Sequence, residues 1–118
     1  MQKNKPFITG TSVYGPFDKE NSDIDIVMTY FDSEVLLEKI KLAGFEVELA
    51  QERNTNYMGF KFEIAGRQFQ VIAVTPGVEY ESWLYATGMM LNLEAMHDRE
   101  KRIQLFTDFK KKYMKKNF

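Results

Sequence analysis

Two aspartates, one residue apart, are the residues of this chain whose spacing is most suggestive of chemistry. Asp23 and Asp25 stand in a run that continues through the apolar residues Ile26, Val27 and Met28, which predicts a β-strand. Side chains two apart on a strand point to the same face, so the two carboxylates would project together. Neighbouring carboxylates repel each other unless a cation neutralises them, and hard oxygen ligands suit Mg²⁺ or Mn²⁺. The spacing therefore predicts a divalent-metal site.

A turn of small residues precedes this strand. Gly10 follows the apolar pair Phe7-Ile8, which indicates a short strand, and glycine lets the backbone bend sharply and approach a ligand closely. Thr11 and Ser12 add hydroxyl groups, and the backbone N–H groups of such a turn can hold phosphate oxygens. A phosphate-binding turn beside metal-binding carboxylates is suited to phosphoryl or nucleotidyl transfer, in which positioning and charge neutralisation carry most of the catalysis.

The order of these residues resembles the signature of the DNA polymerase β-like nucleotidyltransferase superfamily, above all its small, single-domain bacterial and phage members. That signature is Gly-(Ser/Thr)-x-x-x-Gly, then a loop, then Ser-Asp-x-Asp followed by an apolar residue. The matching residues here are Gly10, Thr11, Gly15, Ser22, Asp23, Ile24, Asp25 and Ile26. The expected strand–helix–strand–hairpin order extends the resemblance to about residue 75.

The resemblance implies a site and a reaction. Gly10 and Thr11 would hold the phosphates of a nucleoside triphosphate, and Asp23 and Asp25 would bind the metal ions, Mg²⁺ or Mn²⁺. The predicted nucleotide-binding set is completed by Ser12, Gly15 and Ser22. The implied reaction transfers a nucleoside monophosphate from the triphosphate to a hydroxyl acceptor on a protein, a small molecule or RNA.

The sequence departs from this family at the third carboxylate. Members usually carry it on a later strand, often as the general base, and the matching strand, expected at residues 67–74, has Gln70 near that position. Glu63, on the preceding strand, is the substitute candidate for a catalytic role, although a neighbouring strand would put it about 5 Å from the usual place. Three possibilities stay open: transfer with little base assistance, a substitute carboxylate, or a nucleotide-binding protein without catalysis.

A second departure concerns the region before the first strand. Small members of the family generally carry a helix there, whereas six residues precede Phe7, so one side of the sheet would be left for another element or chain to cover. Together with Gln70, this favours a rival hypothesis, a catalytically silent binding module such as the antitoxin-like partner of a helical toxin. A further alternative is a structural or regulatory protein whose aspartates order a loop. Because a small domain has little room for acceptor recognition, a partner protein or a homo-oligomer is expected.

The composition sets the class of protein. With 118 residues, of which 44% are hydrophobic and 14% aromatic, the chain fits a single domain over residues 1–118 with a substantial core. No apolar run approaches the roughly 18 residues of a membrane span, and the polar start lacks a signal-peptide core, so we expect a cytoplasmic location and no membrane. The absence of cysteine excludes disulfides and thiolate chemistry. A net charge of −1 provides no broad attraction to nucleic acid.

The apolar pattern predicts the elements that position these residues. We expect an α/β (α+β) fold with a small mixed sheet of about five strands, helices packed mainly on one face, and two C-terminal helices. Asp32 and Ser33 are the predicted N-cap residues of the first long helix, and Gly44 is its predicted C-cap residue. The strands are expected near residues 7–9, 23–29, 45–49, 57–64 and 67–74, and the helices near residues 33–43, 79–96 and 99–115.

Overall fold

The described residues form one five-stranded sheet with three helices packed against it. The computed structural model describes residues 4–10, 13, 23–51, 58–91, 93 and 99–117. Its elements are β1 (Phe7–Thr9), β2 (Ile24–Thr29), α1 (Tyr30–Leu42), β3 (Val47–Gln51), β4 (Met58–Ile64), β5 (Arg67–Val74), α2 (Val78–Leu91) and α3 (Arg99–Asn117). This confirms the predicted mixed α/β architecture, the five strands and the two C-terminal helices.

The strands lie in the order β1-β2-β5-β4-β3. The central pair, β2 and β5, is parallel, and the other three pairs are antiparallel. Parallel strands need a long crossover connection, and α1 with the β3–β4 pair provides it here. The parallel pair puts Asp25 directly opposite Gln70, so the two residues that dominate the sequence argument meet at the centre of the sheet.

Helices cover both faces of the sheet. We call the face under α2 and α3 the helix-pair face; its core joins sheet residues to both helices (Val27, Ile72, Val74, Tyr80, Trp83, Ala86, Met90 and Phe106). We call the other side the α1 face; its core consists of Met28, Ile40, Phe60 and Val71. The prediction that helices pack mainly on one face was therefore wrong. Successive residues of β2 point to opposite faces, and both Val27 and Met28 are apolar, so both faces need a cover.

The first long helix begins earlier than its apolar pattern indicates. Thr29, the last residue of β2, is the N-cap, and its hydroxyl accepts a hydrogen bond from the Asp32 N–H at 3.4 Å. The predicted N-cap residues, Asp32 and Ser33, lie inside the first turn, because strand and helix follow each other with no loop between them. At the other end Gly44 has φ +88°, the left-handed conformation expected of a residue that ends a helix.

The β4–β5 hairpin forms where the sequence predicts it. Ala65 and Gly66 have φ values of 55° and 78°, and Ile64 faces Arg67 across this two-residue turn. Positive φ at both central residues matches the twist of the two strands. Elsewhere the bounds differ: β3 begins at Val47, two residues later than predicted, and α2 ends at Leu91. Within the described residues, no helix is long and apolar enough to cross a membrane.

Candidate functional site

The two aspartates lie on the helix-pair face, at the end of the buried core. Asp25, in β2, is half-buried and faces Thr9 on β1 and Gln70 on β5. Asp23 immediately precedes the strand, and its side chain is 25% exposed. Its carboxylate contacts Lys61, whose register with Gln70 also puts it on this face. The structure therefore brings both carboxylates to the same side of the sheet.

The glycine bend lies directly against one of these carboxylates. Gly10 has φ +80°, and a Cβ atom built on it would lie 3.2 Å from the Asp25 Cγ and closer still to Oδ2. Any other residue here would displace the carboxylate as well as strain the backbone. The Gly10 carbonyl accepts a hydrogen bond from the Val13 N–H at 2.9 Å, which closes the turn. The bend and Asp25 are thus in contact, although 15 residues separate them in sequence.

A hydroxyl pair ties the residue before this bend to α2. The Thr9 and Thr87 Oγ1 atoms lie 2.6 Å apart, both residues are buried, and Thr87 donates its own proton to the Trp83 carbonyl at 2.8 Å. Because a hydroxyl has one proton to donate, Thr9 is the donor to Thr87. Sequence reasoning missed this pair, since nothing local in the chain connects residues 78 positions apart.

A row of polar side chains continues from Asp25 across the sheet. In register with Asp25 are Gln70 on β5, Lys61 on β4 and Glu48 on β3. The Lys61 ammonium lies 3.9 Å from Asp23 Oδ2. The position facing Asp25, where the family resemblance leads one to expect a carboxylate, therefore holds a neutral amide, and an ammonium group follows on the next strand.

Glu63 does not join the aspartates in a three-carboxylate site. It faces Gln68 on β5, so two strand spacings, about 10 Å, separate its backbone from that of β2. In the part of the chain that the structure describes, no three histidine, aspartate or glutamate side chains come close enough to share a metal ion. A catalytic role for Glu63 stays a prediction, without a contact to the aspartates that would support it.

The remaining predicted site residues lie outside the described residues. These are Thr11, Ser12, Gly15 and Ser22. Of the predicted nucleotide-binding set, the structure describes Gly10 alone, and the roles of the other four stay predictions.

An open cavity is lined by residues of β3, β4 and β5, and it shares Lys61 with the Asp23 ion pair. Its volume is about 310 Å³, and its charged and amide side chains are Glu46, Glu48, Lys61, Glu63 and Gln68. This volume is at the lower end for small-molecule sites. Lys61 lines the cavity and also pairs with Asp23, so it connects the cavity with the candidate site.

Two features of the site bear on whether it can hold a hard divalent cation: the carboxylates favour binding, and a neighbouring ammonium group opposes it. Asp23 and Asp25 supply carboxylate oxygens, the ligand type that Mg²⁺ and Mn²⁺ prefer. Mg²⁺ is commonly held by one or two carboxylates together with substrate phosphates and water, so two protein ligands are enough when a nucleotide supplies the rest. The Lys61 ammonium beside Asp23 is the feature that opposes a metal ion bound alone.

Comparisons of this chain with protein-family models, with curated proteins and with solved structures each find no match. What this chain can do must therefore be inferred from the residues of the site and from their geometry.

Proposed function

We propose that this chain is a metal-dependent nucleotidyltransferase, which transfers a nucleoside monophosphate from a nucleoside triphosphate to a hydroxyl acceptor. The observation that carries the proposal is the contact between Asp25 and the Gly10 bend, with Asp23 beside it on the same face. This arrangement puts a pair of acidic groups next to a backbone turn that has no side chain at its tightest point. The resemblance to the polymerase β-like superfamily, which combines the same features, supports the same proposal.

The residues of the site divide the work between charge and position. Asp23 and Asp25 would hold a Mg²⁺ or Mn²⁺ ion, and that ion would supply neutralisation of the phosphate charge and assistance to the leaving pyrophosphate. Gly10 leaves room for phosphate oxygens close to the backbone. The Thr9–Thr87 hydrogen bond fixes the position of this bend relative to α2. The acceptor hydroxyl attacks the α-phosphorus, its proton passes to solvent or to a neighbouring base, and pyrophosphate leaves.

A nucleotide-turnover assay tests the proposal. Purified protein is incubated with ATP, GTP, CTP or UTP and with Mg²⁺ or Mn²⁺, and pyrophosphate release and label transfer are measured. We expect turnover with at least one triphosphate and its loss in Asp25→Asn. Glu38→Gln, which removes an exposed carboxylate from α1 on the other face, is the matched control and should keep full activity.

The size of the Asp25→Asn effect is part of the test. Loss of a direct ligand should lower activity by more than the roughly 10- to 100-fold that follows loss of an outer partner of a metal ligand. Equal turnover in Asp25→Asn and wild-type protein would remove the aspartates from the reaction and with them the proposal.

One observation favours a second candidate, a nucleotide-binding module without turnover. Gln70 faces Asp25 where a general base is expected, and an amide cannot take up the proton of an attacking hydroxyl. On this hypothesis the protein binds a nucleotide and a metal ion but does not catalyse transfer. Its function would then be interaction with a partner protein, in the manner of an antitoxin-like module, or with a second copy of the chain.

The variant Gln70→Asp separates the two candidates. If the fold lacks only the base, wild-type protein binds nucleotide without releasing pyrophosphate, and Gln70→Asp gains turnover. If the wild-type protein is an enzyme that needs no base at this position, it turns over already, and the added carboxylate changes the rate little. Gln68→Asp, which adds a carboxylate on the same strand face, is the control for a general effect of charge.

A further inference from the structure

Lys61 has an unusual position on the helix-pair face. Among the strand residues that the structure describes on this face, it is the one basic residue, whereas Asp25, Glu48 and Glu63 are acidic. Its ammonium group reaches across β5 to Asp23, where Nζ lies 3.9 Å from Oδ2. Lys61 also lines the neighbouring cavity. The Lys61 side chain therefore contacts Asp23 and also lines the cavity.

The ion pair between Lys61 and Asp23 is weak enough for Lys61 to leave Asp23 for another anion. Its distance of 3.9 Å exceeds the roughly 2.7–3.2 Å of a direct hydrogen bond. The Lys61 and Asp23 side chains are 39% and 25% exposed, and pairs in contact with solvent contribute little to stability. The flexible four-carbon stem of lysine allows the ammonium group to move to another anion nearby.

The positive charge of Lys61 should weaken binding of a divalent cation alone and strengthen binding of a cation that carries a phosphate chain. A divalent cation held by Asp23 and Asp25 would repel the ammonium group, so Lys61 competes with a metal ion that arrives alone. A phosphate chain bound to that metal brings negative charge, to which an ammonium group donates charge-assisted hydrogen bonds. Because Gln70 adds no charge, the two aspartates and Lys61 together carry a net charge of −1, a weak attraction for an isolated divalent cation.

We propose that Lys61 exchanges its anionic partner: it pairs with Asp23 when no metal is bound and with the phosphate chain of the nucleotide when metal and nucleotide bind together. The inference deepens the proposed function and rests on it. Its consequence is that metal ion and nucleotide bind cooperatively, with Lys61 as the source of the coupling.

The variant Lys61→Met tests the proposal, because it keeps a long apolar side chain and removes the charge. Mn²⁺ binding is measured by electron paramagnetic resonance, first without and then with inorganic tripolyphosphate, which contains the phosphate chain and no base. We expect Mn²⁺ alone to bind about two- to fivefold more tightly, the range for loss of an exposed ion pair. We expect the Mn²⁺–tripolyphosphate complex to bind about tenfold more weakly, because a hydrogen bond to a charged group is lost.

Lys39→Met, on α1 and exposed on the other side of the sheet, is the matched control and should change neither affinity. The proposal is overturned if Lys61→Met binds both Mn²⁺ and the Mn²⁺–tripolyphosphate complex more weakly, or if neither affinity changes. If Lys61→Met lowers the melting temperature, Lys61→Gln repeats the measurement with a polar side chain. Failure of the proposed function looks different: wild-type protein itself then binds no Mn²⁺–tripolyphosphate.

Discussion

The two faces of the sheet differ where its central strands, β2 and β5, pair with each other. On the helix-pair face the side chains change from apolar to polar partway along the paired segment, and on the α1 face they do not. Over the segment in which β2 and β5 pair, both strands present apolar side chains to the α1 face (Ile24, Ile26 and Met28; Phe69, Val71 and Ala73). On the helix-pair face, Val27 and Ile72 are buried, but the pair before them is Asp25 and Gln70. The polar pair is therefore not the frayed end of a sheet. It is a boundary on one face, one step from a core residue with 0% exposure, Val27.

Such a boundary has a consequence for charge. Carboxylates next to a packed core are less well solvated than those on an open surface, so their repulsion is stronger and a bound cation gains more. The α1 face has no such position among its described strand residues, and α1 contributes packing there. The difference between the faces separates the side on which α1 packs from the side that carries the candidate site.

Moving the boundary one step into the core should have the largest effect. Val27→Asp puts a carboxylate at a position with no exposure, and an unpaired buried charge costs about 3–5 kcal/mol. The reverse change, Asp25→Val, alters a half-buried position and should cost much less than Val27→Asp. Urea denaturation measures both free energies of unfolding. Equal losses in the two variants would mean that the face has no boundary at this point.

Glycine substitutions distinguish backbone strain from contact with the site. Gly10 and Gly66 have φ values of +80° and +78°, but only Gly10 has the Asp25 carboxylate where a Cβ would stand. Alanine at either position should cost about 1–2 kcal/mol, because both require a left-handed backbone. Only Gly10→Ala should also weaken Mn²⁺ binding, since the carboxylate must rotate away. The measurements are thermal unfolding and Mn²⁺ titration, and equal Mn²⁺ affinities would contradict the contact.

The hydrogen bond between Thr9 on β1 and Thr87 on α2 joins the sheet to a helix. Its removal should lower stability by less than the substitutions above. Thr87→Val keeps the shape of the side chain and removes the hydrogen bond between Thr9 and Thr87, at a cost of about 1 kcal/mol. Because Thr9 precedes the bend, metal affinity should fall as well. Ser82→Ala is the control, since Ser82 is equally buried on α2 but bonds within the helix, to the Glu79 carbonyl. If the two variants bind Mn²⁺ alike, α2 does not position the bend.

The smallest effect is expected on the outer side of the helix pair. Tyr113 donates a hydrogen bond to Glu81 at 2.7 Å, and this bond to a carboxylate raises the pKa of Tyr113 above its ordinary value of 10.0. A raised pKa in the folded state stabilises the fold below about pH 10, and this contribution disappears as the pH rises through the folded-state pKa.

Tyr113→Phe should therefore reduce the loss of stability at alkaline pH, measured by unfolding on both sides of pH 10. Some loss should remain, because burial also raises the pKa of Tyr80. Spectroscopic titration of tyrosinate gives the independent check, with one late-titrating group fewer in the variant. An unchanged pH profile would show that the bond between α2 and α3 does not form in solution.

Local features of this protein follow from short-range patterns in its sequence. The alternation of β2 predicts that Asp23 and Asp25 share a face, because side chains two apart on a strand point the same way. Ala65-Gly66 predicts the hairpin, because a two-residue turn requires positive φ. The apolar pattern predicts each strand and helix that the structure describes in residues 4–51 and 58–117. The start of α1 differs from the prediction, because its N-cap residue, Thr29, is also the last residue of the preceding strand.

Contacts between residues far apart in the sequence come from the packing of the folded chain. The contact of Gly10 with Asp25, the Thr9–Thr87 bond and the approach of Lys61 to Asp23 all depend on how separate strands and helices align. Register is set by burial of whole faces, and a shift of one residue would turn every side chain of a strand to the other side. No local pattern contains that information, so the charge of Lys61 became part of the candidate site only when β4, β5 and β2 were seen side by side.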